Sequence, residues 1–328
     1  MMMKRILLLT LALLMLLPLA ASCQKYDDTL AVNVWVLNGT TGFGIAPLIE
    51  DEKAGTAALN YTFTVETNAA NVQSALINGD TDIAALPTNA ASALYNKTGG
   101  EVVLLALNTR GVLYLVANTA KASAPATLSD LVGKTVYVPA QNPAFVTQAL
   151  LNKAEIEGVT LDSTTYAEPA ALRDAVASGL VDYAVLPEPM VTIAVSKATQ
   201  VNAGVTLSVA LDLTAEWKTA FGSDSLVQGC IVARKAFVEE HPEEVKKFLA
   251  EYEASIRYVI ENPTEASEKI AASGVFAQAA VAAKAIPKCN LCFITGADMK
   301  AAMSAFLSAL PVASIGGALP ADDFYYNK

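Results

Sequence analysis

The chain has 328 residues, a formal net charge of −10 and only 16% charged side chains. That acidic balance excludes nucleic acid as an expected partner, and the apolar content, rich in Ala and Val, excludes a disordered chain and suits a packed α/β protein. Beyond any leader, the length accommodates two lobes of ordinary domain size.

At the start, Lys4 and Arg5 precede the apolar run "ILLLTLALLMLLPLA", and small residues close the segment at "AASC". This is the order of a secretory leader, residues 1–22, and the run falls short of the roughly 20 residues a spanning helix needs. "LAASC" resembles a bacterial lipobox, in which the cysteine, here Cys23, receives a diacylglyceryl group and becomes the first residue after cleavage. Ser22 fits that pattern, while Ala20 stands where Leu is more usual. Ordinary cleavage after an A-x-A-like site is the alternative. With lipidation, residues 23–29 form a polar tether, and two acyl chains hold the protein on a membrane surface outside the cytoplasm.

The next elements alternate. "LAVNVWVLN" predicts a strand, and "TTGFGIAPLIEDEKAG" a helix that stops near Gly55. Strand "LNYTFTVET" and helix "NAANVQSALING" follow, the latter with Val72, Leu76 and Ile77 on one side and Gly79 as its stop. Then come the short buried strand "DIAALP", helix "TNAASALYNKTGG" and strand "EVVLLALN". After "NTRGVLYLVAN" a second set begins: strand "KTVYVPA", helix "QNPAFVTQALLNKAEI", strand "TLDSTTYAEP", helix "AALRDAVASGL", strand "VDYAVLP" and helix "EPMVTIAVSKATQ". From about residue 205 the pattern shifts to strand "LVQGCIVARKAF" and a mainly helical ending. Alternation of this kind predicts sheets of mostly parallel strands flanked by helices. Crossings near Arg110 and Gln228 divide the chain into lobe 1, residues 30–110 with 228–328, and lobe 2, residues 111–227, joined by a hinge.

One phrase occurs twice. Gly79, Asp82, Ala84, Leu86 and Pro87 recur a hundred residues later as Gly179, Asp182, Ala184, Leu186 and Pro187, in the same helix–strand–helix setting. The repeat predicts two similar lobes. Within it, Gly stops a helix, the apolar residues form a buried strand, and Pro ends the ladder; these roles are structural. The residues just beyond each proline, Thr88 and Asn89 in one half and Glu188 in the other, stand where carboxyl ends of strands meet helix amino termini, the ligand-binding edge of α/β sheets.

Taken in order, the lipobox, "GTTGFGIAPLI", "VQSALINGDTDIAALPT", a crossing strand, "LRDAVASGLVDYAVLPEP" and the helical ending resemble the substrate-binding lipoproteins of ABC importers. The similarity covers nearly all of residues 30–328 and is greatest to the type 2 branch that includes nitrate, sulfonate, taurine and thiamine-precursor binders. It implies an extracytoplasmic, monomeric receptor that captures a small polar molecule or anion between its lobes and presents it to a membrane permease. A surface sensor or adhesion lipoprotein using the same cleft is the alternative.

Candidate ligand contacts follow from the strand edges. Asn38, Gly39, Thr40, Thr41, Gly42 and Phe43 form a Gly/Thr loop with hydroxyl donors and a ring able to stack on a flat ligand. Gln141 and Asn142 form the matching edge of the second lobe, Asn142 serving equally as a helix cap. Arg110 either clamps an anion or holds an acidic group across the hinge. Glu188, facing the cleft, favours an amine-bearing ligand or one neutralised by Arg110, which leans the ligand toward small, neutral or zwitterionic molecules; paired structurally, it carries no such message.

Chemistry finds little equipment. The single histidine, His241, sits among acids at a helix start and reads as solvated surface; no G-x-S-x-G elbow occurs. A pyrimidine synthase of similar fold needs histidine and clustered cysteines that this chain lacks. Cys230, Cys289 and Cys292 read as buried thiols, a disulfide being chemically permitted outside the cytoplasm; the "CNLC" spacing lacks a redox setting, and zinc would need more ligands. Neither an enzyme nor a cofactor or metal site is expected.

Overall fold

The computed structural model describes residues 26–327, so the leader and Cys23 lie outside the described residues. In the first sheet β1 (Ala31–Leu37) pairs in parallel with β2 (Asn60–Glu66) and with β3 (Ile83–Pro87). The long strand β4 (Val102–Arg110) does not meet β3 directly. Between them runs β10 (Val227–Arg234), antiparallel to both, and β11 (Leu291–Ile294) lies antiparallel on the far side of β4. The order is β11-β4-β10-β3-β1-β2.

The second sheet repeats the scheme. Strands β6 (Thr135–Tyr137), β7 (Thr160–Asp162) and β8 (Tyr183–Pro187) are parallel, and β5 (Leu113–Asn118) enters antiparallel between β8 and β9 (Leu207–Asp212). Both sheets are thus mixed, although most strands of each share one direction, as the βαβ alternation implies. Of the opposed strands, β5 and β10 arrive from the other lobe, while β11 is a short edge strand within the first. Because the shared-direction strands end at the interlobe edge, a strand entering across that edge has to run the other way.

Helices cover the sheets: α1 (Thr40–Phe43), α2 (Ala46–Lys53), α3 (Ala69–Asn78) and α4 (Thr88–Thr98) early in the first lobe, then α5 (Asn142–Lys153), α6 (Pro169–Ser178) and α7 (Met190–Val201) in the second. α8 (Leu213–Phe221) precedes the return crossing. α9 (Lys235–Glu240), α10 (Pro242–Glu261), α11 (Pro263–Ala272), α12 (Ala279–Ala285) and α13 (Gly296–Ser308) complete the first lobe. Among the described residues no helix is long and apolar enough to cross a membrane.

The repeated phrase is local grammar. Gly79 and Gly179 end α3 and α6 at φ 84° and 78°, a left-handed conformation that a residue with a Cβ adopts only under strain. Asp82 accepts from the Asn33 backbone N–H at 2.9 Å and pairs with Arg234 at 2.6 Å, tying β1, β3 and β10 together. One apolar cluster runs through both lobes. In it the Trp217 indole of α8 stacks on Phe221 at 4.1 Å and meets Phe306 of α13 at 5.5 Å, while its N–H donates to Ser225 Oγ.

At the first crossing the chain passes through Gly111, where an added Cβ would lie 2.3 Å from Thr214 Oγ1 and 2.5 Å from Leu226 Cδ2 of the return segment. The two crossings therefore touch, and no side chain fits between them. Gly111→Ala is expected to cost about 1–3 kcal/mol by overpacking, read as a lowered urea midpoint with an unchanged slope.

Candidate interlobe binding site

The crossing peptide at Val112 is gripped from both lobes. Its N–H donates to Gln228 Oε1 at 2.8 Å, and its carbonyl accepts from the Glu188 N–H at 2.9 Å. Arg110 N–H donates to the Asn290 carbonyl, and Asn290 Nδ2 donates to the Gly111 carbonyl at 2.6 Å. A buried chain segment outside a ladder needs such partners for its peptide groups.

Two polar clusters extend from this peptide. In one, Gln228 Nε2 donates to Asn142 Oδ1 and Asn142 Nδ2 donates to Asn89 Oδ1, each at 2.9 Å, joining the first turns of α5 and α4. In the other, Thr40 Oγ1 of α1 donates to the Glu188 carbonyl at 2.7 Å, with Cys289 Sγ 3.8 Å from that hydroxyl. Tyr114 of β5 adds a bond from its hydroxyl to the Lys288 carbonyl at 2.8 Å. All these interlobe side chains are buried, so the two lobes are closed upon each other, and their polar groups satisfy one another.

Helix amino termini frame the seam. α4, α5 and α7 have no side-chain cap at the N-cap position. Their first-turn N–H groups and dipoles favour acceptors and negative charge. At α7 the Glu188 carboxylate already takes this place, accepting from Thr192 N–H at 3.1 Å and from its hydroxyl at 3.0 Å.

Five of the residues anticipated from sequence thus meet near the seam: Thr40, Thr88, Asn89, Asn142 and Glu188. Thr88 spends its hydroxyl on the Val227 carbonyl, holding the start of β10. Others are elsewhere. The Phe43 ring is fully buried against Phe276 in the first lobe's core, 5.9 Å between centroids, so it offers no stacking face; apolar burial wins over exposure at the cleft. Gly42 faces inward too, since a Cβ there would sit 2.3 Å from the Leu37 carbonyl. Asn38 is exposed, Gly39 uses its positive φ of 85° to enter α1, and Thr41 offers its carbonyl to Asn108 Nδ2. Arg110 turns along the hinge and donates to the Asp224 carbonyl, holding main chain where an acidic side chain or an anion had been anticipated. Gln141 is exposed at the lip with φ 64°.

Gln228, Tyr114, Cys289 and Asn290 complete the seam and were not anticipated as contacts. The signal for Gln228 was the neighbouring Gly229 inside a strand pattern, which marks a bulge or a close backbone approach. The three cysteines of the described residues are free, and burial pushes their thiols up, away from the reactive thiolate. Among the described residues no group of three or more His, Cys, Asp or Glu is placed to hold a metal ion.

Comparison with known proteins identifies the family and the fold. A family profile described as ABC transporter, phosphonate, periplasmic substrate-binding protein matches residues 53–281. Among solved structures, an ABC transporter from Parabacteroides distasonis is 24% identical with a TM-score of 0.74, over 92% of this chain and 100% of that one. The periplasmic aliphatic sulphonate binding protein SsuA from Escherichia coli is 14% identical with a TM-score of 0.66, over 85% of each chain. The alkanesulfonate-binding protein SsuA from Xanthomonas axonopodis pv. citri, bound to MOPS, is 14% identical with a TM-score of 0.60, over 90% of this chain and 96% of that one. Such identities speak to the fold. No curated protein matches the chain.

Glu188 is expected to make the stability of the seam depend on pH. Burial raises its carboxyl above the ordinary value of 4.5, opposed by the Thr192 hydrogen bonds and the Lys288 charge. A carboxyl raised on folding binds more protons folded than unfolded, so its contribution is fully present below the ordinary value and is lost as pH climbs through the raised one. Glu188→Gln, which keeps an oxygen for the Thr192 N–H, is expected to gain melting temperature over the wild type at neutral pH and none at about pH 4. Melting midpoints across that range read the difference.

Proposed function

Since the chain belongs to the periplasmic substrate-binding proteins of phosphonate ABC transporters, and so is a non-enzymatic solute-binding component of an importer, we propose that it captures a small phosphonate or sulfonate between its lobes. The observation that carries this reading is the seam itself: side chains and uncapped helix amino termini from both lobes meet at one hinge peptide. Residues 30–110 with 228–328 and residues 111–227 act as two bodies, and a ligand that touches both favours closure over opening. The first turns of α4 and α5 supply donors for an oxyanion, with Thr40, Asn89 and Asn142 as side-chain contacts.

Glu188 selects within that class. With Arg110 turned toward Asp224, the Glu188 carboxyl has no ion-pair partner among the described residues, and the Lys288 charge is the smallest of the influences on it. A ligand carrying an ammonium group beside its oxyanion complements both the carboxyl and the helix termini. An aminoalkylphosphonate or aminoalkylsulfonate therefore fits better than the corresponding alkyl anion. Lipidation at Cys23 would keep the receptor at the membrane beside its permease, and a monomer suffices for this role.

Thermal-shift titration of the mature chain tests the reading. Aminoethylphosphonate or taurine should raise the melting midpoint saturably and more than ethylphosphonate or ethanesulfonate, and Asn142→Ala and Thr40→Ala should each weaken binding about tenfold. If no member of either class shifts the midpoint, the ligand assignment fails.

A further inference from the structure

Gln228 occupies an unusual place in its strand. Val227 lies opposite Arg110 and Gly229 opposite Thr109, which leaves Gln228 as the extra residue of a β-bulge. Bulges re-aim side chains beside functional sites. Gly229 permits a close approach of β4 beside the bulge, because a Cβ there would sit 2.5 Å from Asn108 Oδ1 and 2.9 Å from Thr109 Cβ. So re-aimed, Gln228 reaches past its own sheet to the second lobe.

We propose that Gln228, Asn142 and Asn89 form an amide latch that favours the closed arrangement of the lobes, with Gln228 as the positioning residue that ties the latch to the hinge. The Val112 N–H can only donate, so the Gln228 oxygen has to face it. The Gln228 nitrogen then meets the Asn142 oxygen, and the Asn142 nitrogen meets the Asn89 oxygen. No amide in this chain turns over without setting two like groups against each other. The free end is the Asn89 nitrogen, 3.5 Å from the Ser314 carbonyl, the longest link of the series.

The relay passes from the first lobe to the second and back, so opening breaks both bonds of Asn142 at once. All three side chains are less than a tenth exposed, and the latch satisfies groups that closure would otherwise bury unpaired. Water takes over these bonds on opening, so the latch biases the closed form on the order of tenfold rather than locking it. For the ligand reading above, on which only this consequence rests, an arriving oxyanion competes with Asn89 Oδ1 for the Asn142 amide. The receptor then admits ligand through the open fraction of molecules.

The test contains no ligand. Mature protein is unfolded, dialysed and refolded to strip any guest, then compared as wild type, Gln228→Met, Asn142→Leu and the double variant. Gln228→Met keeps volume and removes the amide; Asn142→Leu cuts the same relay from the other lobe, so either alone tests the latch if the other fails to melt cooperatively. Small-angle scattering should show a compact wild type and a larger radius of gyration in each single variant. Amide exchange in the first turns of α4 and α5 should accelerate about tenfold. Because both substitutions cut one relay, the double variant should add little to either single effect. An already expanded wild type, a Gln228→Met variant that scatters and exchanges like the wild type, or effects that simply add would each overturn the latch. A failed ligand screen would leave it standing, and failure here leaves the ligand class untouched.

Discussion

The peptide unit of Val112 is the constraint on which the two lobes turn. The N–H and the carbonyl of Val112 bond to different lobes, one to a side chain of the first and the other to a backbone N–H of the second. A chain that crosses between sheets leaves ladder bonding for a few residues, and those peptide groups must be satisfied locally or pay desolvation. Here the neighbours that satisfy them, Gln228, Glu188 and Asn290, are also the neighbours that build the seam. Hinge and seam are therefore one structure.

The same constraint explains the direction of the strands. β5 and β10 start at the interlobe edge and run away from it, against the strands that end there. Each sheet consequently presents carboxyl ends of strands, and the helix starts that follow them, toward the other lobe. The seam is lined by hydroxyls, amides and a carboxyl, which exchange partners with water at modest net cost, while Trp217 and Phe306 keep an apolar contact at its side. The polar part of this face can exchange its partners for water on opening, while the apolar contact resists it.

Glu188 shows how one residue can serve the hinge and the seam together. Its backbone carbonyl holds Thr40, its N–H holds the hinge and its carboxyl sits at the start of α7. Such a group is costly to bury as an anion, and the raised carboxyl records that cost. The compensation lies in the helix N–H and the hydroxyl of Thr192, which donate to the carboxylate when it is charged.

The amino-acid order alone determined the alternation of strands and helices, the repeated Gly–Asp–Pro phrase and the edge on which Thr40, Thr88, Asn89, Asn142 and Glu188 stand. These are consequences of chain chemistry over a few residues: left-handed glycines, prolines that end ladders, apolar runs of strand length. Which way a side chain points from that edge was beyond such reasoning. Phe43 went inward to Phe276, Arg110 lay along the hinge, and Gln228 was turned across the seam by a bulge. Those choices depend on partners more than a hundred residues away in sequence, brought together only by the tertiary fold.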